Sequence, residues 1–341
     1  MLRRLLAPAR FGQRLLDRME FVLDHSRIAV SRRAVWVRRL AGAGMIGFAV
    51  SQVMAGGAQV MVGVLVALVA LIVLAGKIGL FARDWAPVGL MMAIYGSAFA
   101  AAAELGMPTW YSPALDADRA IGFGTLPGVW LQQHLHAATN DPLAVVAALG
   151  YASHYYVPVL LGLYLWWWHR DNGFFELMYT YVTVLFLAAV VFVLAPTAPP
   201  WLAHERGMIP PLHDVIKMGL LDLRLDTLAD HKGDASFYLT RAAFPSIHAA
   251  WPTISLLVVV RHRMPLWVKG VVVTQLAAVW FVIVYAGEHY VTDILGGVLF
   301  ALAASWLVRR YGAAVAEAMR PANVVELGRG AAAPADERRA A

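Results

Sequence analysis

The 341-residue sequence predicts an all-α polytopic transmembrane helical bundle of six to eight spans. Three observations lead there. Hydrophobic residues make up 60% of the chain and charged residues 15%, with a mean hydropathy of +0.62, whereas soluble domains hold about 45–50% apolar residues. Apolar runs long enough to cross a bilayer, about 17–25 residues each, recur along the chain. Most of the 28 basic residues fall on one side of the layout these runs imply, in the sense of the positive-inside rule.

Residues 1–39 read as a basic arm. Leu2, Leu5, Leu6, Phe11, Leu15, Leu16, Met19, Val22 and Leu23 are spaced by threes and fours among Arg3, Arg4, Arg10, Arg14 and Arg18. That pattern fits an amphipathic helix on the anionic inner leaflet or a simple topology anchor. No continuous apolar core follows the first charges, so it is not read as a signal peptide. Runs at 40–56 and 58–76 form an accessory hairpin (40–76), which is re-entrant or interfacial if the spans number fewer than eight. The main membrane domain, 77–310, carries runs at 86–105, 143–167, 177–197, 247–262, 266–286 and 289–308. The fifth span stops at APTAPPWL, because Pro196, Pro199 and Pro200 cannot continue a helix. The end of the chain, 311–341, is Ala, Gly and charge without periodicity and is expected to be a disordered cytoplasmic tail.

With both termini cytoplasmic, the basic residues favour the inside, and the segments 106–142 and 198–246 lie outside. An arginine-over-lysine bias and abundant alanine match a GC-rich bacterial genome, hence a plasma-membrane location. The chain has no cysteine, which excludes disulfides, thiolate nucleophiles and cysteine-ligated metals. The net charge of +6 is a membrane matter, and nothing resembles a nucleic-acid module. Trp166, Trp167 and Trp168 read as an interfacial aromatic belt.

Two stretches carry chemistry: AFPSIHAAWP and YAGEHYVTDILGG. They set His248, His289 and Asp293 at the mouths of two apolar segments, where an ionisable group is costly and marks a functional site. His289 and Asp293 are four apart, on one face of a helix expected to start near Gly287. An imidazole N–H bonded to that carboxylate fixes the tautomer and leaves the other ring nitrogen as a nucleophile. Histidine can attack phosphorus, and a second histidine, His248, can protonate the leaving alkoxide. Phosphoryl transfer also needs cations and N–H donors around the equatorial oxygens. Arg241, Lys217 and Arg224 supply charge, with Lys232 nearby. The FPSIH run supplies a helix N-terminus, with Pro245 in its first turn and the Ser246 hydroxyl beside it. Three other readings stay open: a local ion pair with a helix-end histidine; a divalent-metal site drawing on His134, His136 or His154; and a non-enzymatic lipid or proton transporter using the trio as a relay. His154, Tyr155 and Tyr156 either line the pocket or form a packed helix face.

PSIH followed by HYVTD resembles the motifs of the type 2 phosphatidic acid phosphatase superfamily, K-x6-R-P, P-S-G-H and S-R-x5-H-x3-D. With PTAPPWL it is similar to the branch of the inositol phosphorylceramide synthases. The chain departs from the pattern at three places: Ile247 replaces the glycine, Val282 and Ile283 stand at the Ser-Arg pair, and Leu225 follows Arg224 where a proline is expected. The resemblance implies a six-helix phosphatase-type core. It implies His289 as a nucleophile forming a phosphohistidine, Asp293 as its orienter and His248 as proton donor, with no metal and no cofactor. It also implies a lipid phosphate or phospholipid donor held in the bilayer. The acceptor is water, or an alcohol such as inositol or a lipid, and the synthase branch favours transfer of a phospho-head group.

Overall fold

The computed structural model describes residues 32–55, 59–135, 141–226, 229–230 and 242–318. The arm up to residue 31, His136, Lys232, Arg241 and the tail from 319 lie outside the described residues.

Each apolar run forms a helix. The hairpin is α1 (Arg32–Ala55) and α2 (Gln59–Leu74), packed on each other. The main domain is built on α3 (Ile78–Glu104), α6 (Pro142–Trp168), α7 (Phe175–Leu194), α10 (Ile247–Arg261), α11 (Leu266–Tyr285) and α12 (Val291–Ala318). Helices α6, α7 and α11, together with Val291–Gly312 of α12, are long and apolar enough to cross a membrane, while α10 is apolar but shorter. Helix α10 is the hub, touching α6, α7, α11 and α12, and α3 packs on α7. The principal apolar core lies among α6, α7, α10 and α12, around Leu165, Leu185, Phe192, Ile254 and Ala301.

Several boundaries differ from expectation. Helix α3 begins eight residues before the expected 86, because the charge at Asp84 does not end it. Asp84 is buried and accepts from Arg83, from Arg170 at 2.8 Å and from the indole N–H of Trp166 at 2.9 Å. Trp166 is therefore a buried partner, and only Trp167 and Trp168 keep the exposure of a belt. Helix α12 runs on to Ala318, eight residues into the expected tail. Helix α7 stops at Leu194, just before Pro196, as the proline run dictates.

The two long connecting segments, 106–142 and 198–246, are not bare loops. The first holds α4 (Ser112–Ile121) and α5 (Pro127–Leu135), and the second holds α8 (Pro200–Glu205) and α9 (Val215–Asp222). Proline opens α5 and α8, and the Asp214 carboxylate caps α9 by accepting from Lys217 N at 2.9 Å. Ala114, Leu126, Val129, Ala203, Ile209 and Tyr290 form one apolar cluster, so α4, α5 and α8 close over the start of α12.

The opposite end of the bundle is held by charge. Glu176 of α7 pairs with Arg261 of α10 and bonds His262 at 2.8 Å, and Arg261 donates to Ser305 of α12 at 3.2 Å. Arg261 lies 13 residues along α10 from His248, about 20 Å at 1.5 Å per residue.

Candidate active site

The site is built where the N-termini of α10 and α12 meet. Ser246 is the N-cap of α10, its Oγ accepting from Ala249 N at 3.2 Å. Pro245 thus precedes the cap and is not in the first turn. The lead-in is pinned to the proline run: Ala243 N donates to Thr197 O at 3.1 Å and Phe244 N to Thr197 Oγ1 at 2.8 Å. Thr197 is flanked in turn by Trp110, whose N–H donates to Pro196 O and whose carbonyl accepts from Ala198 N. Trp201 N donates to Gly287 O at 3.1 Å, so the same APTAPPW element grips the turn ahead of α12.

That turn needs Gly287, whose φ of +70° lies in the left-handed region. His289 and Tyr290 follow in non-helical conformation and α12 starts at Val291, four residues later than expected. Asp293 therefore lies in the first turn. Its Oδ2 accepts from Tyr290 N at 2.9 Å, half of a capping box, and from the His289 ring Nδ1 at 3.3 Å. A second carboxylate completes the cap from outside. Asp118 of α4, 1% exposed, accepts from Thr292 N at 2.9 Å, from Thr292 Oγ1 at 3.3 Å and from Val291 N. Burial holds the Asp118 carboxyl above the usual carboxylate range and the charge of Asp293 adds to the rise, while the bonds from Thr292 and Val291 oppose it.

The two helices touch through backbone. Ser246 N donates to Asp293 O at 3.1 Å. A Cβ on Gly297 would fall 2.3 Å from Ser246 O, so only glycine permits this approach.

The result is a line of polar groups. His248 Nδ1 lies 2.9 Å from His289 Nε2, and His289 Nδ1 lies 3.3 Å from Asp293 Oδ2. On the other side His248 Nε2 lies 3.1 Å from the Tyr151 hydroxyl of α6. His154 packs its ring 4.0 Å from that of His248, centroid to centroid, and its Nδ1–H donates to Tyr151 O at 2.7 Å, since a carbonyl can only accept. His289 is 5% exposed and Asp293 fully buried. A small recess beside His289 is lined by Asp118, Leu126, Val129, Pro200, Ile209 and Leu212.

The structure thus brings His248, His289 and Asp293 together. Ser246 lies next to them, fully buried and engaged as a cap. Lys217 is half-buried on α9 and Arg224 is exposed just beyond it, with a φ of +59°. Among the described residues, the hydrogen-bond partners of the trio's side chains are one another, Tyr151 and the backbone of Tyr290, and neither cation is among them. Tyr155 and Tyr156 are exposed, whereas His154 is buried against His248. Sequence reasoning passed over Tyr151 and Asp118. Tyr151 had a usable signal, since it stands three residues before His154 and shares its helical face. Asp118 had none, reading as an ordinary loop charge.

Comparison with known proteins gives the chain a family. One curated relative, a phosphoinositol dihydroceramide synthase from Bacteroides thetaiotaomicron, is 28% identical over 183 residues, covering 52% of this chain and 58% of the relative. The chain thus spans little more than half the length of that relative. No solved structure matches. The family model described as PAP2 superfamily matches residues 114–307, from α4 through most of α12 and so across every residue of the trio. With more than half of its length matched, and with apolar helices fit to cross a bilayer, this integral membrane chain belongs to the PAP2 superfamily.

Proposed function

We propose that the protein is a membrane phosphoesterase that acts on a lipid or lipid-linked phosphate through a phosphohistidine on His289 and passes a phospho-head group to an alcohol. The observation that carries this reading is the line Asp293–His289–His248, with contacts of 3.3 and 2.9 Å. Asp293 holds a proton on His289 Nδ1, which leaves the Nε2 lone pair for phosphorus. As the N–P bond forms, the P–O bond to the leaving alcohol breaks and protonated His248 gives that oxygen its proton. In the second half His248 takes the proton of the incoming hydroxyl while its oxygen displaces His289 from phosphorus.

The N-terminus of α10 suits the phosphate oxygens. Ser246 Oγ accepts from Ala249 N and Ser246 O from Ala250 N, leaving the N–H groups of Ile247 and His248 for an anion. Arg241, Lys217 and Arg224 are the candidate cations. The relative's name, which joins phosphoinositol to dihydroceramide, favours head-group transfer over hydrolysis. Arg261, Arg263, Lys269 and Arg309 sit at the end of the bundle away from the histidines, which favours an extracytoplasmic site with cytoplasmic termini in a bacterial plasma membrane.

The test is to incubate the purified protein with labelled phospholipids, polyprenyl phosphates and candidate alcohols. Transfer of label to an alcohol, vanadate inhibition, insensitivity to EDTA and loss of turnover in His289→Gln are the expected results. Turnover by folded His289→Gln would end the mechanism, and release of label to water would assign a phosphatase instead.

A further inference from the structure

We infer that Tyr151 is a positioning residue of the phosphoryl-transfer site, its hydroxyl holding the His248 ring in each protonation state the reaction requires. The inference rests on the proposed role of His248 as proton donor and acceptor.

The direction of every bond along the line follows from its one fixed end. A carboxylate can only accept, so Asp293 places the proton of neutral His289 on Nδ1. His289 Nε2 is then an acceptor, and the ring nitrogen 2.9 Å away, His248 Nδ1, must be the donor. Neutral His248 is left with a bare Nε2, and the group 3.1 Å from it, the Tyr151 hydroxyl, must donate. When His248 is protonated, both its nitrogens donate. Nε2–H then needs an acceptor, and a hydroxyl has lone pairs to offer. Tyrosine serves both states because its hydroxyl can reverse direction by rotating. An acceptor-only or donor-only side chain would serve one of them.

The setting makes this bond matter. His248 sits in the first turn of α10, Tyr151 in the third turn of α6, and α6 packs directly on α10. The Tyr151 ring lies 5.1 Å from His248 and the His154 ring 4.0 Å, so the imidazole is walled by two rings and held at its far nitrogen by the hydroxyl. Asp293, His289 and Tyr151 thus fix both ends of a two-imidazole relay. The motif spacing around His248 and His289 includes no residue of α6.

The hydrogen-bond direction is read by nitrogen NMR of histidine-labelled full-length protein in lipid bilayers, with the His248 signal assigned by its loss in His248→Asn. Wild type should show His248 protonated at Nδ1 and bare at Nε2, and Tyr151→Phe should lose that single tautomer. The role is read by kinetics. Tyr151→Phe should lower kcat for a lipid donor with an alkyl leaving group about 10–100-fold, part of the general-acid contribution, with KM little changed. A donor with an aryl leaving group, which needs no proton, should lose several-fold less. Wild-type His248 protonated at Nε2 would overturn the inference, as would equal losses for the two donors. If Tyr151→Phe does not fold, the wild-type spectrum alone decides. Turnover by His289→Gln would sink the phosphohistidine reading while leaving the tautomer result intact.

Discussion

Replacing Asp118 by Ala tests how the turn that carries His289 is held. Asp118 reaches from α4 to cap a helix that begins 173 positions later in the chain, accepting from Val291 N, Thr292 N and Thr292 Oγ1. Loss of a helix cap costs about 0.5–2 kcal/mol, and a buried donor left without an acceptor about 1–3 kcal/mol. Relief of repulsion with Asp293 offsets part of this. A net destabilisation of about 2 kcal/mol follows. The assay is the apparent melting temperature in lipid nanodiscs at fixed scan rate, followed across pH. Because the folded-state carboxyl of Asp118 is raised, the stability linked to its titration is complete below the ordinary carboxyl range and is lost as pH rises through the elevated value. Asp118→Asn keeps an acceptor and removes the charge, so its melting temperature should hold level over the interval in which wild type declines. An unchanged melting temperature in Asp118→Ala would refute the capping argument, and parallel pH curves for wild type and Asp118→Asn would refute the electrostatic one.

Other perturbations read other parts of the site. Asp293→Asn replaces an acceptor-only carboxylate by a neutral amide whose NH2 can face the ring, so the His289 tautomer is no longer dictated, and kcat should fall about 10³–10⁴-fold, as when the orienting carboxylate of a Ser-His-Asp triad is replaced; activity near wild type would show that His289 needs no orienter. Gly297→Ala drives a Cβ to 2.3 Å from Ser246 O, so the helix starts must part by about 1 Å and turnover should drop about 100-fold; wild-type turnover would mean that the contact does not set the spacing of the histidines. Glu176→Ala leaves Arg261 buried without its carboxylate and should destabilise the protein by about 3–5 kcal/mol, which thermal melting would detect. A structure with vanadate bound should have the two imidazoles separated and the Ser246 N–Asp293 O bond still closed; an open backbone bond would contradict that order of events.

The long helices were legible because hydropathy alone decides them: an apolar run of about 20 residues has few alternatives. The trio was legible for the complementary reason, since ionisable residues at the mouths of such runs demand a purpose. The apolar run of α3 starts only at 86, but the helix starts earlier, because Asp84 is matched by Arg170 and Trp166, more than 80 residues away and not visible locally. Helices α4, α5, α8 and α9 were read as loops. They are too short for periodicity to register, and they gain stability from the shared cluster around Leu115, Ile209 and Tyr290 and from Val215 and Ile216 against α6. The start of α12 was set too early because the left-handed turn at Gly287 ends one helix without beginning the next. Tyr151 stayed hidden because an aromatic residue in an apolar helix is ordinary until a histidine from another helix is found against it.

The resting site also constrains how a phosphate can enter. His289 Nε2 lies 2.9 Å from His248 Nδ1; with the proposed tautomers its lone pair accepts from His248, and a phosphorus atom cannot share that nitrogen with a hydrogen bond. The neutral bond contributes about 1 kcal/mol net, while bonds to charged oxygens contribute about 1.5–3 kcal/mol, so a phosphate that slips between the rings gains more than it displaces. The helices themselves are poorly placed to open the gap. Their first turns are joined by the Ser246–Asp293 backbone bond and by the close pass at Gly297, and both lead-ins are tied to the APTAPPW element. On the proposed reading the opening therefore falls to the side chain of His248, which can turn about its own bonds. His289 cannot follow, because Asp293 holds its Nδ1 and Asp118 holds the turn beneath it. With His289 as the proposed nucleophile and His248 as the proposed proton donor, the nucleophile is fixed and the proton donor moves, which matches the order of that chemistry: attack needs a set trajectory, and the proton must then travel with the leaving oxygen.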